Sequence, residues 1–281
     1  TTLKRSKLLQ FLIKGLKKEV IKYNYNIQQV EYDEDLIKLE FDNGEKITCD
    51  YLIISDGVFS KGKSIISTNE SNAIYNNSIA IRGNISKENF QNINDENISL
   101  FLGSEFHYVV YPLNKDKNYN FIGILKHKLN SNEQKNRALF DENFYVEKIK
   151  NKLSQKISKT FLEKIQNFKI FPVFVSKKFF KPANNIFLVG DAFFAFSPSF
   201  AQGASQSIEG AFELYESILN NRDFFNKRSK RVKMINNRSN FNQFVFHLSN
   251  PVMIFFRNIS LKFLSKNKNF LDSYLGKIYK N

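Results

Sequence analysis

The sequence lacks the features that mark a secreted or membrane-spanning protein. It has a single cysteine, Cys49, and so cannot form an intrachain disulfide framework. Its N-terminal stretch is polar and basic without an apolar core, unlike a signal peptide. No apolar run approaches the length of a membrane span. These absences fit a reducing compartment, and we expect a cytoplasmic location.

Acidic residues are few relative to basic ones. The 281 residues include 42 Lys and Arg against 27 Asp and Glu, a formal net charge of +15. Such a surplus indicates either an anionic partner (nucleic acid, lipid head groups or a phosphorylated cofactor) or a compositional bias. Trp is absent, Gly and Pro are scarce, and Lys, Asn and Ile occur throughout, which favours the bias. Because no groove-reading or base-stacking motif is present, we predict no nucleic-acid partner.

Several common sets of catalytic residues are also missing. The sequence has no catalytic triad, no zinc-ligand spacing and no Walker loop, so no metal site is predicted. Hydrophobic residues make up 42% of the chain, a normal globular level. The length suits one large domain or two ordinary ones.

The most informative stretch is 185–216, which reads NIFLVGDAFFAFSPSFAQGASQSIEGAFELYE. It begins with an apolar run of strand length, which Gly190 and Asp191 end. A loop containing Pro198 follows. From Ala204 an amphipathic helix is predicted, with one apolar face. The residues of that face are Ile208, Ala211, Phe212, Tyr215 and Ile218.

The order strand, acidic turn, loop, helix has a chemical consequence. It directs a helix N-terminus, with unpaired N–H groups and a partial positive charge, towards the space above the strand's carboxyl end. Such an end suits an anionic or strongly hydrogen-bond-accepting ligand.

This stretch resembles the second flavin fingerprint of the class A FAD-dependent monooxygenases, the aromatic-ring and ubiquinone-pathway hydroxylases. Their pattern is roughly G-D-A-A-H-x-x-x-P-x-x-x-Q-G-x-N. Six residues match it in order and spacing: Gly190, Asp191, Ala192, Pro198, Gln202 and Gly203. Phe194 stands where the family usually has His, and Ser205 where it often has Asn.

The resemblance implies an FAD site with assigned roles. Asp191 would hydrogen-bond the ribityl chain, and Pro198 would shape the ring site near the substrate. The N–H groups of Ala204 and Ser205 would face the flavin pyrimidine edge. Gly190, Gln202 and Gly203 complete the cofactor-binding residues that the fingerprint implies.

A second motif follows an apolar strand predicted over 51–54. Asp56, Gly57 and Ser60 resemble the family's D-G-x-x-S-x-x-R motif, with Lys63 in place of Arg. A carboxylate at a strand end, followed by Gly, lets the backbone approach a ligand closely. The resemblance places Asp56 and Gly57 on the pyrophosphate side of FAD. Lys63 keeps the positive charge but loses the planar fork of Arg.

A helix is predicted over 3–23, with Thr1 or Thr2 as its cap. Within it Arg5 begins a segment that resembles the family's R-x-x-L, and on that resemblance Arg5 lies on the ribityl side of FAD. The alternative is a solvated charge on the helix surface.

Strands and helices fill the rest of the chain. We predict a hairpin turn at Asn43-Gly44, a loop over 69–77, and helices within 132–166. Strands are predicted at 27–32, 36–41, 47–49, 78–85, 98–103, 107–111, 120–125 and 168–174.

The segment 106–113 resembles the substrate-covering strand of salicylate-hydroxylase-like members, which ends in Tyr-Pro. His107 and Tyr111 are therefore candidate catalytic residues on a pocket floor, together with Pro198. Ordinary packing of a sheet with one wet face is the alternative for both.

The C-terminal region is predicted to be helical, basic and rich in Phe. Its helix around Val252–Leu264 suits either an anionic membrane surface or a solvated face over a packed one. His247, just before the break at Pro251, is predicted to cap or pack rather than to bind metal.

The patterns predict a mixture of helices and strands, and the family resemblance implies an α/β fold with an FAD-binding Rossmann-like three-layer part, an antiparallel sheet covering the substrate, and C-terminal helices. We expect FAD-binding segments at 1–68 and 179–281 and the substrate segment at 69–178. The family's G-x-G-x-x-G unit is absent from the sequence, so we expect the FAD-binding fold to be incomplete at its N-terminal side.

The resemblance implies an enzyme that uses NADH or NADPH, FAD and O2 to hydroxylate a small aromatic or quinone-type substrate through a flavin hydroperoxide. The alternative is a non-catalytic remnant of such a flavoprotein, which the missing unit and the changes at Phe194 and Lys63 favour. Contact with a membrane surface is an open interpretation, and the sequence does not indicate an oligomeric state.

Overall fold

The computed structural model describes residues 4–33, 36–67, 73–89, 97–113, 118–183, 185–276 and 278. The chain forms two compact units, 1–76 with 174–234 and 77–173 with 235–281. The chain thus changes unit after residues 76, 173 and 234. The sequence suggested divisions after residues 68 and 178. The structural divisions lie inside two long strands (73–86 and 166–176) and a long helix (224–246), where no loop in the sequence marks them.

The first unit is a mixture of short strands and helices. Its strands are β1 (Ile27–Asp33), β2 (Leu36–Phe41), β3 (Lys46–Cys49), β4 (Leu52–Ile54) and β10 (Ile186–Leu188). Its helices are α1 (Arg5–Lys14), α2 (Lys61–Ile66), α6 (Asp191–Phe194) and α7 (Gly203–Leu219), with 3-10 turns at Lys18–Val20 and Pro198–Phe200.

Strands β1, β2 and β3 form an antiparallel meander. The predicted turn at Asn43-Gly44 is confirmed: Gly44 has φ +81°, and its N–H donates to the Phe41 carbonyl at 2.9 Å. Alternate residues of β2 are buried, as a strand with one wet face requires. Ile37 and Leu39, 1% and 7% exposed, belong to the core of this unit.

The second unit is built on an antiparallel sheet in the order β6-β7-β8-β5-β9. These strands are β5 (Ala73–Ser86), β6 (Ser99–Leu102), β7 (Phe106–Pro112), β8 (Asn118–Lys126) and β9 (Gln166–Ser176), of which β5 and β9 begin or end in the first unit. Before β9 come α3 (Ser131–Lys135), a 3-10 turn (Arg137–Asp141), α4 (Asn143–Leu153) and α5 (Lys159–Glu163). The C-terminal helices are α8 (Phe224–Phe246), which starts in the first unit, α9 (Pro251–Leu264) and α10 (Lys268–Leu271).

Two sequence predictions are wrong in their extent. The helix expected over 3–23 ends at Lys14, because Gly15 caps it and its N–H donates to the Ile13 carbonyl. The capping residues proposed for it, Thr1 and Thr2, lie outside the described residues. The loop expected over 69–77 gives way to strand β5 from Ala73, where Tyr75 is 9% exposed and packs against Phe174.

The predicted fold class is confirmed: the molecule mixes helices with a parallel strand pair and antiparallel sheets, and it ends in helices. In the part of the chain that the structure describes, no helix has the length and hydrophobicity to cross a bilayer.

Phe121, at the centre of the second unit's sheet, is fully buried. We expect Phe121→Ala to lower the free energy of unfolding by about 3–5 kcal/mol, because the lost burial adds to the cost of the cavity. Urea unfolding followed by circular dichroism measures this change. Phe144→Ala, at a side chain 72% exposed, is the control and should change stability by no more than about 0.5 kcal/mol. Equal effects at both positions would contradict the assigned core.

Candidate functional site

Two parallel strands bring the two sequence motifs together. Strand β10 pairs with β4 in the register Ile186–Leu52 to Leu188–Ile54, and the Val189 N–H continues the ladder by donating to the Ile54 carbonyl at 3.0 Å. The carboxyl ends of the two strands therefore lie side by side. One continues into Asp56-Gly57 and the other into Gly190-Asp191, which is the edge where α/β sheets bind ligands.

Gly190 has a backbone conformation that other residues avoid. Its φ of +62° and ψ of −139° place it where a Cβ atom is strained. A Cβ on this residue would also meet the Ser207 side-chain oxygen at 2.9 Å. The glycine therefore allows the turn after β10 to lie directly against the first turns of α7.

Asp191 follows at the start of α6 and remains accessible to solvent. Among the described residues, its carboxylate has no hydrogen-bond or ion-pair partner. The surrounding protein partly desolvates the carboxyl group and so raises its pKa. An unpaired, partly desolvated carboxylate is a strong acceptor for hydroxyl groups of a ligand.

The N-terminus of α7 is open. Its cap residue, Gln202, makes no side-chain capping bond, and the first turn holds no acidic residue. Gly203, Ala204 and Ser205 are exposed. A Cβ atom on Gly203 would meet no other atom within 4 Å, so the space beside this residue is open. The Gln202 side chain itself is buried. Backbone N–H groups, rather than side chains, are thus what this helix end offers a ligand.

The motif after β4 folds back on itself. The Asp56 carboxylate accepts a hydrogen bond from the Gly62 N–H at 2.9 Å, and Ser60 caps α2 by accepting from the Lys63 N–H at 2.9 Å. Asp56 is exposed, and Gly57 has φ +89°. Asp56 therefore has a structural hydrogen bond and still faces solvent.

Lys63 connects the two motifs. Its side chain is 7% exposed and donates to the Ala192 carbonyl at 3.0 Å. Burial lowers its pKa, whereas the negative charge of Asp56 acts in the opposite direction. The residue that replaces the family's Arg is thus a buried side chain that links α2 to α6 by a hydrogen bond. Its contact partner is backbone, for which the planar fork of Arg is not needed.

The orientation of α7 depends on buried charges that sequence reasoning missed. Arg228, 3% exposed, donates to Glu209 at 3.0 Å and to Glu213 at 3.1 Å, and Arg231 donates to Glu209 at 2.7 Å. Gly210 lets the Arg228 side chain approach the helix, since a built Cβ would lie 3.1 Å from its Nε. Acidic residues four apart on α7 and basic residues three apart on α8 are the signal for such pairing.

Most of the apolar face predicted for α7 faces solvent. Ile208, Phe212 and Tyr215 are 49%, 61% and 58% exposed, whereas Ile218 packs against the core. The buried face of the helix carries Leu214 together with the polar residues Gln206 and Glu213.

The other sequence candidates of the first unit have different surroundings. Phe194, which replaces the family's His, is 6% exposed and stacks on Phe179 with ring centroids 4.4 Å apart, so it belongs to the core. Arg5 is exposed on α1, a helix without buried residues. It has no hydrogen bond or ion pair among the described residues. Pro198 is exposed at the start of a 3-10 turn.

His107 and Tyr111 belong to the second unit. His107 is 2% exposed, and its Nδ1 lies 2.8 Å from Nε2 of His247. Burial, and secondarily the charge of His247, lowers the pKa of His107 to about 3. Burial lowers the pKa of His247 to about 4. Both rings are therefore neutral at ordinary pH. This arrangement agrees with the packing role expected for His247, and Tyr111 is half-buried.

A cavity of about 450 Å³ lies at the opposite end of the strand pair. Tyr51, Asn185 and Ile186, at the amino ends of β4 and β10, contribute to its lining together with Arg222 and Asp223. Ligands of α/β sheets bind outside the carboxyl ends of strands. We therefore assign the candidate site to the carboxyl ends of β4 and β10, where the two motifs lie and which we call the motif end. The depression at this end is smaller than the 450 Å³ cavity.

Residues 21–221 match the sequence model of the family described as FAD binding domain. The chain belongs to this FAD-binding family. The family resemblance predicted from the fingerprint is thereby confirmed. No curated protein sequence matches the chain significantly.

Solved structures share the fold of this FAD-binding chain. HpxO of Klebsiella pneumoniae complexed with FAD and uric acid is similar at a TM-score of 0.77 and 14% identity, covering 98% of this chain and 71% of that one. An HpxO variant complexed with FAD gives 0.74 and 15%, covering 89% and 66%. A salicylate hydroxylase substrate complex gives 0.70 and 16%, covering 88% and 67%. The FAD-binding chain thus spans about two thirds of the length of these proteins.

Gly190→Ala tests the close approach in this FAD-binding fold. We expect it to lower the free energy of unfolding by about 3 kcal/mol, since backbone strain adds to the contact with Ser207. Gly44→Ala is the matched control, because Gly44 also has positive φ but open space around it; about 1 kcal/mol is expected there. Urea unfolding of both variants gives the comparison, and equal losses would contradict the contact.

Lys63→Met removes the bond to Ala192 and keeps most of the side-chain volume. We expect the free energy of unfolding to fall by about 1–3 kcal/mol, because a buried carbonyl loses its partner. Lys61→Met, at an exposed lysine of the same helix, should be nearly neutral. A loss at position 61 as large as that at 63 would show that general charge, rather than the bond, is responsible.

Proposed function

We propose that the motif end of the β4–β10 pair binds the ribityl and ring portion of FAD, and that the chain forms part of a flavin-dependent monooxygenase. The observation that carries the proposal is the unpaired Asp191 carboxylate, whose turn packs against the first turns of α7, a helix with an uncapped N-terminus. The site thus offers a hydroxyl acceptor and a set of N–H donors close together in the fold.

The chemistry of these groups fits the proposed portion of FAD. The ribityl chain has hydroxyl groups that donate to a carboxylate such as Asp191. The N–H groups of Ala204 and Ser205 suit the oxygen-bearing pyrimidine edge, and the helix end favours negative charge there. Gly203 leaves the backbone accessible, and Gly190 lets the Asp191 turn lie against α7. Asp56 and Gly57, at the neighbouring strand end, are assigned to the pyrophosphate side, and Arg5 to the ribityl side as in the sequence hypothesis.

When bound, FAD supplies the redox chemistry between a nicotinamide and O2, and the protein supplies orientation and electrostatics. We propose NADH or NADPH as co-substrate and a cytoplasmic location. We also propose a small aromatic or quinone-type substrate; in support, the similar HpxO structure is a complex with uric acid, and the similar salicylate hydroxylase structure is a substrate complex. Pro198 is assigned to the ring site, and His107 and Tyr111 remain predicted contributors on the substrate side.

Asp191→Asn tests the assignment. It should weaken FAD binding at least about tenfold, since an amide is a weaker acceptor for hydroxyl donors than a carboxylate. Titration of FAD into the protein, followed by quenching of flavin fluorescence, measures the affinity. The titration uses the 281-residue chain.

The same variant should not lose stability without FAD. The folded pKa of Asp191 is raised, so the folded state carries a penalty for the charged carboxylate at pH values above that pKa. Asn removes the penalty at neutral pH. The gain should vanish as pH falls through the interval between the folded and unfolded pKa values, where wild-type Asp191 becomes protonated. Asp50→Asn, at an exposed aspartate of the same unit, is the control and should leave both properties unchanged.

Two results would contradict the proposal. Unchanged FAD affinity in Asp191→Asn would remove the assignment of this residue. Absence of FAD binding by the wild-type protein would instead favour the non-catalytic remnant.

A further inference from the structure

Helix α9 carries apolar side chains on its outward face. Val252, Phe255, Phe256, Ile259 and Phe263 recur three or four residues apart and so line one side of the helix. They are between 39% and 71% exposed. We call these five residues the outer face of α9.

The helix is held so that this face stays outward. On its opposite side the Arg257 side chain is 7% exposed and donates to the Val245 carbonyl of α8 at 3.5 Å and to Asn258 at 3.1 Å. Asn250 caps the helix by accepting from the Val252 and Met253 N–H groups at 3.0 and 3.2 Å. The contact of Arg257 with α8 therefore sets which side of α9 faces inward, and the Phe side chains lie on the other side.

The segment that contains α8 and α9 carries charge of one sign. No Asp or Glu occurs between Phe224 and Leu271. Lys262 is exposed and lies seven residues after Phe255, so it borders the outer face. Lys266 and Lys268 follow just beyond the helix C-terminus. Phe241 and Phe244 of α8, in the same acid-free segment, are 58% and 59% exposed.

We propose that the outer face of α9 docks on an anionic lipid surface. Aromatic and aliphatic side chains along one side of a helix, with Lys262 beside them and Lys266 and Lys268 after the helix end, match the boundary between acyl chains and negatively charged head groups. A second copy of this chain is a poorer partner, because it would bring the same acid-free basic region against itself. A fully solvated face is disfavoured by the row of exposed Phe side chains.

The mode of contact is peripheral. A helix of 14 residues is about 21 Å long, shorter than the hydrocarbon core of about 30 Å. The helix therefore lies in the plane of the interface and inserts its apolar side chains only to a shallow depth.

The absence of Trp from the sequence gives a direct probe. Phe256→Trp places a single indole on the outer face, and Phe144→Trp places one at an equally exposed site on α4. With vesicles of phosphatidylcholine containing phosphatidylserine, we expect a blue shift of emission at position 256 only. Lipids with brominated acyl chains should quench the indole fluorescence of the Phe256→Trp variant and not that of Phe144→Trp. Both measurements use the whole chain without FAD, so they are independent of the flavin proposal.

Vesicle flotation tests the contribution of the side chains. The double variant Phe256→Ser with Phe263→Ser should bind anionic vesicles roughly 100-fold more weakly, while Phe144→Ser binds like wild type. Lys262→Glu should weaken binding roughly tenfold, and Lys169→Glu, an equal charge change at an exposed residue of β9, should have a much smaller effect. Circular dichroism verifies that each variant is folded.

Three outcomes would overturn the proposal. Wild-type protein that stays unbound at low salt excludes the lipid surface. Equal binding of the Phe double variant and wild type would reduce the interaction to net charge. A change of sedimentation coefficient in the double variant, without a change in vesicle binding, would identify the outer face as an interface between two copies.

Discussion

The parallel pairing of β4 with β10 determines where the proposed site lies. Residues 52–54 and 186–188 are separated by almost half of the chain, yet their ladder places Asp56-Gly57 beside Gly190-Asp191. Parallel strands of only three residues contribute little stability alone. The apolar residues Leu52, Ile54 and Leu188, each at most 7% exposed, and the Lys63–Ala192 hydrogen bond add the missing support. Any change that shifted this register by one residue would separate the two motifs and reverse their faces.

Buried charge and apolar packing together orient α7: Leu214 is 2% exposed in the core of the first unit, and a charged network lies beside it on the same helix. Arg228 is buried with Glu213 and also pairs with the half-buried Glu209, and its second terminal nitrogen donates to the Gln206 side chain at 2.9 Å. Desolvation makes such a group costly, but removing one partner from a buried pair costs about 3–5 kcal/mol, because an uncompensated charge remains. The network therefore tolerates few orientations of α7, which is what a helix end that donates N–H groups to a ligand requires.

Local patterns in the sequence predicted the elements of the site, and partners distant in sequence escaped prediction. The turn at Asn43-Gly44, the strand before Asp191 and the start of α7 follow from residue types within a few positions. The roles of Lys63 and Arg228 depend on Ala192 and Glu213, which lie 129 and 15 residues away. The His107–His247 contact spans 140 residues. Periodicity also gives the faces of a helix without saying which face is packed, and so the exposed side of α7 was not predictable.

Two features of the site carry a cost that a ligand would offset. Asp191 is partly desolvated without a partner, and Gly190 adopts a conformation open to few other residues. Stability alone would favour neither, since an amide at 191 removes the charge penalty. Local departures of this kind are expected at functional sites, where the surrounding structure maintains them. Because a ligand that binds only the folded state stabilises it in proportion to the logarithm of its concentration, hydroxyl groups bound to Asp191 would turn a destabilising residue into a stabilising one. The combination of an unsatisfied carboxylate and a glycine-dependent turn therefore argues for a binding site more strongly than the fingerprint alone.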